Sequence, residues 1–248
     1  MKSRLLLVPL CMLIVSASCK STIHGSGELV EKEIKLKGFT AISAGNTFHV
    51  NVKHGPTYKV NVKIDKNLEK YLRITMHGNT LEIGMDCANQ YDPSDEGMVL
   101  DIQTPRLENL DISGAAIASI RGFSNKSSSL SLSGASIISG EIHTENLFLD
   151  ASGASLVQLT GSAKQMKIEL SGASKAHLLD FKAAKAQINL SGASDAQVFV
   201  TDELSLDASG ACNLEYAGKP KMKSISTSGA STVKAVEAKQ ITPEKPAD

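Results

Sequence analysis

The stretch that decides the fold is Leu130-Ser131-Leu132-Ser133-Gly134-Ala135-Ser136, because the chain repeats it. Ser-Gly-Ala occurs at Ser113-Gly114-Ala115, Ser133-Gly134-Ala135, Ser152-Gly153-Ala154 and Ser171-Gly172-Ala173, then at Ser191-Gly192-Ala193, Ser209-Gly210-Ala211 and Ser228-Gly229-Ala230. The glycines step by 20, 19, 19, 20, 18 and 19 residues. A fixed period of this size is the mark of stacked structural repeats.

Aligning the chain on these glycines gives each position a meaning. Four residues before glycine stand Leu110, Leu130, Leu149, Ile168, Ile188, Leu206 and Ile225; two before stand Ile112, Leu132, Ala151, Leu170, Leu190, Ala208 and Thr227. Between them lie Asp111, Ser131, Asp150, Glu169, Asn189, Asp207 and Ser226. This alternation is that of a strand with one face buried. Beyond the corner it resumes, with Ala118, Ile138, Val157, Ala176, Ala196, Leu214 and Val233 four residues after glycine. Each repeat reads as strand, tight corner, strand, variable turn. A unit this short cannot bury its own apolar face, so coils must stack with equivalent strands in parallel. The expected fold is all-β: a right-handed parallel β-helix, a solenoid of about seven coils of 18–20 residues.

Upstream, the pattern is that of β-hairpins that extend or cap the solenoid. Residues 28–42 suggest a first strand pair. Phe48, Val50 and Val52, then Tyr58, Val60, Val62 and Ile64, alternate around the turn His54-Gly55-Pro56. Leu72, Ile74 and Met76 pair in the same way with Leu81, Ile83 and Met85 around His77-Gly78-Asn79, and residues 67–72 suit one helical turn. The polar loop 86–97 holds Asp86, Asp92, Asp95 and Glu96, which are either solvated acids or oxygen ligands for a hard cation. Their spacing matches no known loop motif, and whether residues 86–96 hold a cation stays open.

The N-terminus reads as a targeting segment. Lys2 and Arg4 precede an apolar run at residues 5–15, too short to span a bilayer. Ser16-Ala17-Ser18-Cys19 resembles the end of a bacterial lipoprotein signal, cleaved before a lipid-bearing Cys19. The expected organisation is a signal at 1–18, a tether at 19–27, a hairpin region at 28–105, the repeat β-helix at 106–238 and a disordered, Pro-containing tail at 239–248. Localisation follows: exported and lipid-anchored in the cell envelope, in the outer membrane, with its orientation open. Lys20-Ser21-Thr22 carries no acidic cluster of the kind some surface lipoproteins have, which favours the periplasmic side.

The chain has 248 residues and 26 Lys+Arg against 26 Asp+Glu, so no basic field recruits nucleic acid. With no Trp and 4% aromatics, the interior must be narrow and aliphatic. Seven recurring serines point to corner geometry and not to catalysis, since a catalytic serine is normally single and has a base beside it. Glycine supplies the backbone angles a corner needs: Gly114, Gly134, Gly153, Gly172, Gly192, Gly210 and Gly229 are structural. Cys212 follows Gly210 where other coils carry alanine or serine, so a small buried side chain explains it better than a disulfide to Cys87. The histidines are scattered and the motifs of metal or phosphate sites are missing, so no catalytic residue, metal or cofactor is expected. The candidate binding strip is the outward acidic row Asp111, Asp150, Glu169 and Asp207, with Asp150 and Glu169 on neighbouring coils.

With its lipoprotein-like leader, its His-Gly-x turns and its Leu-x-Leu-Ser-Gly-Ala-Ser coils, the chain resembles the family described as "putative auto-transporter adhesin, head GIN domain" over residues 39–236. The resemblance implies a β-helical cell-envelope protein with an adhesive role and brings no catalytic residues. The expected function is a non-enzymatic envelope lipoprotein whose exposed β-helix face binds an unidentified glycan or protein. The alternatives are assembly through self-association as a homo-oligomer, or a polysaccharide-active enzyme, since parallel β-helices host lyases and hydrolases.

Overall fold

The computed structural model describes residues 21–86 and 89–237; the signal, Cys19, Cys87 and the tail lie outside them. Eighteen strands are present in chain order: β1 (Thr22–His24), β2 (Leu29–Glu33), β3 (Ala41–Ala44), β4 (His49–His54), β5 (Lys59–Asp65), β6 (Leu72–His77), β7 (Thr80–Met85), β8 (Gln90–Asp92) and β9 (Met98–Thr104). They continue as β10 (Asn109–Ile112), β11 (Ile117–Leu132), β12 (Ile137–Ala151), β13 (Leu156–Leu170), β14 (Lys175–Gly192), β15 (Asp195–Gly210), β16 (Asn213–Ala217), β17 (Lys221–Gly229) and β18 (Thr232–Ala235). The expected helical turn is a single 3-10 turn at Glu69–Tyr71. Sixteen strands form one continuous sheet wound into a parallel β-solenoid, and β1 pairs with β8 apart from it. Among the described residues no helix is long and apolar enough to cross a membrane.

Each coil carries three parallel ladders. From β11 to β12 the first runs from Ile117↔Ile137 to Ile120↔Gly140, the second from Phe123↔Ile142 to Asn125↔Thr144, and the third from Ser127↔Asn146 to Leu132↔Ala151. Inward side chains form columns, among them Leu130, Leu149, Ile168, Ile188 and Leu206, all at most 3% exposed. The variable turn of the sequence reading turns out to be a bulge within continuous strand. Register shifts fall between Ile120 and Phe123, Gln158 and Gly161, and Leu178 and Lys182, where coil length changes without opening a loop.

The Ser-Gly-Ala corners stack directly. Their glycines have φ between 72° and 104°, and a Cβ on Gly192 would lie 2.6 Å from the Gly172 carbonyl oxygen. Glycine is therefore required twice, for its backbone angle and for the close approach of the next coil. Two residues on, the hydroxyls of Ser136, Ser155, Ser174 and Ser194 each donate to the carbonyl of the serine three residues earlier at 2.8 Å, closing the corner. Cys212 is a free, buried thiol in the same row and points at the Ser209 carbonyl, 3.3 Å away.

The N-terminal region departs from the hairpin reading. β4 and β5 are not a hairpin: β9 lies between them, parallel to β4 and antiparallel to β5. Nor does β2 pair with β3; it lies antiparallel to β5. Only β6 and β7 form the expected antiparallel hairpin, Leu72↔Met85 to His77↔Thr80. The reason is that β3 and β4 are themselves a coil. β3 is parallel to β10, with Ile42 beside Leu110, and β4 is parallel to β11, with Val50 beside Ala118. Their corner residue is Asn46, at φ 62°, the one described non-glycine residue with positive φ, a conformation asparagine tolerates better than most. β7 and β9 then stack on β3 and β4 from the other side, and antiparallel β6, β5 and β2 finish that end. The segment read as a tether is built in from Thr22, since β1 pairs with β8 and the Gly27 amide donates to the buried Asp65 carboxylate at 2.8 Å.

Candidate binding face

The third ladder presents three outward columns. One is the predicted row: Asp111↔Ser131, Ser131↔Asp150, Asp150↔Glu169, Glu169↔Asn189, Asn189↔Asp207 and Asp207↔Ser226 are consecutive partners. Asp150, Glu169 and Asp207 line one shallow hollow of about 350 Å³ together with Asn189, Ser171 and Ser191. Asp111 does not join them. It lies two coils from Asp150, and its carboxylate accepts from Ser43 Oγ at 3.5 Å.

Directly opposed carboxylates repel, and the neighbouring column supplies a lysine to Glu169. Lys167 Nζ lies 2.7 Å from Glu169 Oε1, and this hydrogen bond, helped by the lysine's charge, holds the Glu169 carboxyl below its ordinary range. Glu203 is lowered as well: burial opposes the shift, and the charges of Lys185 and Lys223 outweigh it. The strip is an acidic surface with lysines set along its margin.

The second column was missed in the sequence. It runs Ser129↔Phe148, Phe148↔Lys167, Lys167↔Gln187 and Gln187↔Ser205. Five residues before glycine, only the Gly153 coil carries an aromatic, a signal available from the same alignment. Phe148 is 46% exposed, whereas Phe39, Phe48, Phe123 and Phe181 are buried. A second hollow of about 280 Å³ opens beside it, lined by Asn146, Gln165, Lys167, Lys185 and Gln187. A third, smaller hollow of about 80 Å³ borders both, sharing Phe148 and Lys167 with the second and Asp150 and Glu169 with the first.

Elsewhere polar groups are tied to one another. On the first ladder Ser119 Oγ donates to Asn51 Oδ1 (2.9 Å), and Asn51 Nδ2 to Asp101 Oδ1 (3.0 Å). The acids of the loop 86–97 disperse: Asp86 meets Arg73 at 3.4 Å, Asp92 meets His24 at 2.8 Å, and Glu96 pairs with Lys63. Among the described residues no three His, Cys, Asp or Glu side chains gather as a metal site.

Fold and face define a parallel β-solenoid with an open polar sheet face. The chain belongs to the family described as "putative auto-transporter adhesin, head GIN domain", whose model matches residues 38–220. That family is one of adhesin-like, exported or cell-surface proteins. No curated protein matches the chain. Among solved structures it is similar to a "putative adhesin" from Bacteroides fragilis, with 18% identity and a TM-score of 0.79 over 86% of this chain and 100% of that one. It is also similar to a "putative lipid binding protein" from Parabacteroides distasonis, with 19% identity and a TM-score of 0.70 over 87% and 100%. A "putative adhesin" from Parabacteroides merdae matches with 19% identity and a TM-score of 0.64 over 87% and 99%. At these identities the likeness speaks for the fold.

Proposed function

We propose that the chain is a non-enzymatic adhesion module of the cell envelope, anchored through a lipid on Cys19 and binding with the outward columns of its third ladder. The observation that carries this reading is that Asp150, Glu169, Asn189 and Asp207 converge on one open hollow, next to a second hollow flanked by exposed Phe148. Family membership supports adhesion as the role.

Two experiments test the reading. The purified mature protein is incubated with cultured epithelial cells and immobilised matrix proteins, beside a triple variant Asp150→Asn, Glu169→Gln, Asp207→Asn. Binding by the native protein and loss in the variant is the expected result; equal binding by both moves the site elsewhere, and no binding by either defeats adhesion. Membrane fractionation of Cys19→Ala, with protease shaving of intact cells, tests the anchor and the orientation. Release of the variant into the soluble fraction is expected, and retention in the membrane excludes the lipid.

Self-association is a second reading, favoured by the far end of the stack, which no other described strand covers. There Met222 and Ile225, which continue inward columns, are 38% and 43% exposed, and β17 is exposed along its length. Light scattering on the purified protein decides it.

A further inference from the structure

We infer that the third ladder binds an extended neutral glycan, with Phe148 as the platform on which one sugar ring stacks. The inference rests on the adhesion reading and names its ligand class. One exposed apolar side chain means little by itself, so the surroundings of Phe148 decide. In its own column stand Ser129, Lys167, Gln187 and Ser205, so the phenyl ring interrupts a polar row in a chain that has only 4% aromatic residues. Gln165 and Gln187 line the adjoining hollow, and their amides take no partner within the described structure. Each offers a donor and an acceptor together.

A pyranose ring asks for this combination. Its axial C–H groups make an apolar face, which an aromatic ring attracts through the negative potential above its plane. Its hydroxyls need donors and acceptors around the rim. Three open hollows with shared lining residues run from Phe148 to the Asn189 and Asp207 side, across strands that recur about every 4.8 Å. A chain of several rings fits that shape better than a compact small molecule, which enclosed pockets bury.

Charge selects among glycans. Lys167 pairs with Glu169, and Lys185 and Lys223 both pair with Glu203, so with Asp150 and Asp207 the face carries four carboxylates against three lysines. Uronates, sulfated chains and anionic headgroups are therefore repelled, and neutral hydroxyl-rich chains are admitted.

The test is affinity electrophoresis and calorimetry of the mature protein with dextran, mannan, galactan and xyloglucan. Polygalacturonate, heparin and phosphatidylglycerol vesicles are run in parallel. At least one neutral polysaccharide is expected to retard the protein. Phe148→Ala is expected to weaken that binding about tenfold or more, Phe148→Trp to keep it, and Gln187→Ala to weaken it severalfold. Unchanged melting temperatures show that the variants fold. Binding to none of the neutral polysaccharides, binding indifferent to Phe148→Ala, or preference for the acidic probes or the vesicles overturns the inference. The two readings fail separately. Cell or matrix adhesion without polysaccharide binding leaves adhesion standing and removes the glycan; polysaccharide binding without adhesion does the reverse.

Discussion

The repeat coils and the N-terminal end are one sheet built by two different routes. In the repeats each strand lies on the one about 19 residues earlier, as in Ile138↔Val157. At the N-terminal end the β3–β4 coil lies between β7–β9 and β10–β11, and Ile42 meets Leu110 across 68 residues. Loop-closure entropy grows with the logarithm of length, so closing 68 residues costs only about 1.1 kcal/mol more than closing 19. Thermodynamically the detour is cheap. Its consequence is in order of assembly: repeats can zip up from any neighbouring pair, while β3 can be covered on one side only after β10 has been reached. The difference teaches that a solenoid end needs no regular sequence. It needs inward residues that continue the columns and strands that turn antiparallel to finish the edge.

The sharpest break of this comparison is at a corner. Gly172→Ala places a Cβ 2.5 Å from the Gly153 carbonyl oxygen at φ 72°, and is expected to destabilise by roughly 2–5 kcal/mol, as strain and overpacking add. Gly38 has φ 86° with open space around it, so Gly38→Ala should cost only about 1–2 kcal/mol. Thermal denaturation of both separates close approach from backbone angle. Next in size is Asp65→Asn. The buried Asp65 carboxylate accepts from the Gly27 amide (2.8 Å), the Ser94 amide (2.9 Å) and Ser94 Oγ (2.9 Å), holding the N-terminal segment and the loop 86–97 together. The change should cost about 2–3 kcal/mol, with faster hydrogen exchange at residues 22–27 and 89–97 and none at the repeats. Uniform acceleration would mean that the two regions are one cooperative unit.

Asn46→Ala tests the irregular corner. It loses the bond that the Met85 amide donates to Asn46 Oδ1 (2.9 Å) and leaves alanine at positive φ, for a loss of about 1–2 kcal/mol by chemical denaturation. The smallest effect is that of pH. Glu145, paired with Lys164, and Glu169, paired with Lys167, sit below the ordinary value of 4.5. A lowered carboxyl contributes stability that is fully present above the unfolded value and is lost as pH falls through the folded one. Denaturation midpoints should therefore be flat near neutrality and slip slightly below pH 4.5, with the slip suppressed by salt, because these pairs are exposed.

The solenoid was legible because local stacking imprints a local period. Seven glycines, the leucine and isoleucine columns and the outward acids all follow from one alignment. Asn46 hid an eighth corner: Ile42, Ser43, Ala44 and Val50 occupy the repeat's positions, but asparagine stands where glycine was sought. β4 and β5 looked like a hairpin because alternation reports which face is buried and not which strand is the neighbour. Half of the candidate face was readable as the acid row. Phe148 stood out in that alignment as the one aromatic in its column, but one outward apolar residue gains meaning only when the structure sets it beside Gln165 and Gln187.

The corner amides have one more property. From Ala115 to Asn46, and then from Ala135, Ala154, Ala173, Ala193, Ala211 and Ala230 to the glycine of the preceding coil, N–H groups donate to carbonyls at 2.7–2.8 Å. Each corner peptide accepts from one neighbour and donates to the other, so the peptides form a single file whose dipoles all point one way. Strand dipoles in a sheet largely cancel; these add, as they do in a helix. A chain with formal net charge of zero thus carries a field along its long axis, with its carbonyl, negative end at Gly229, the last of the described corners.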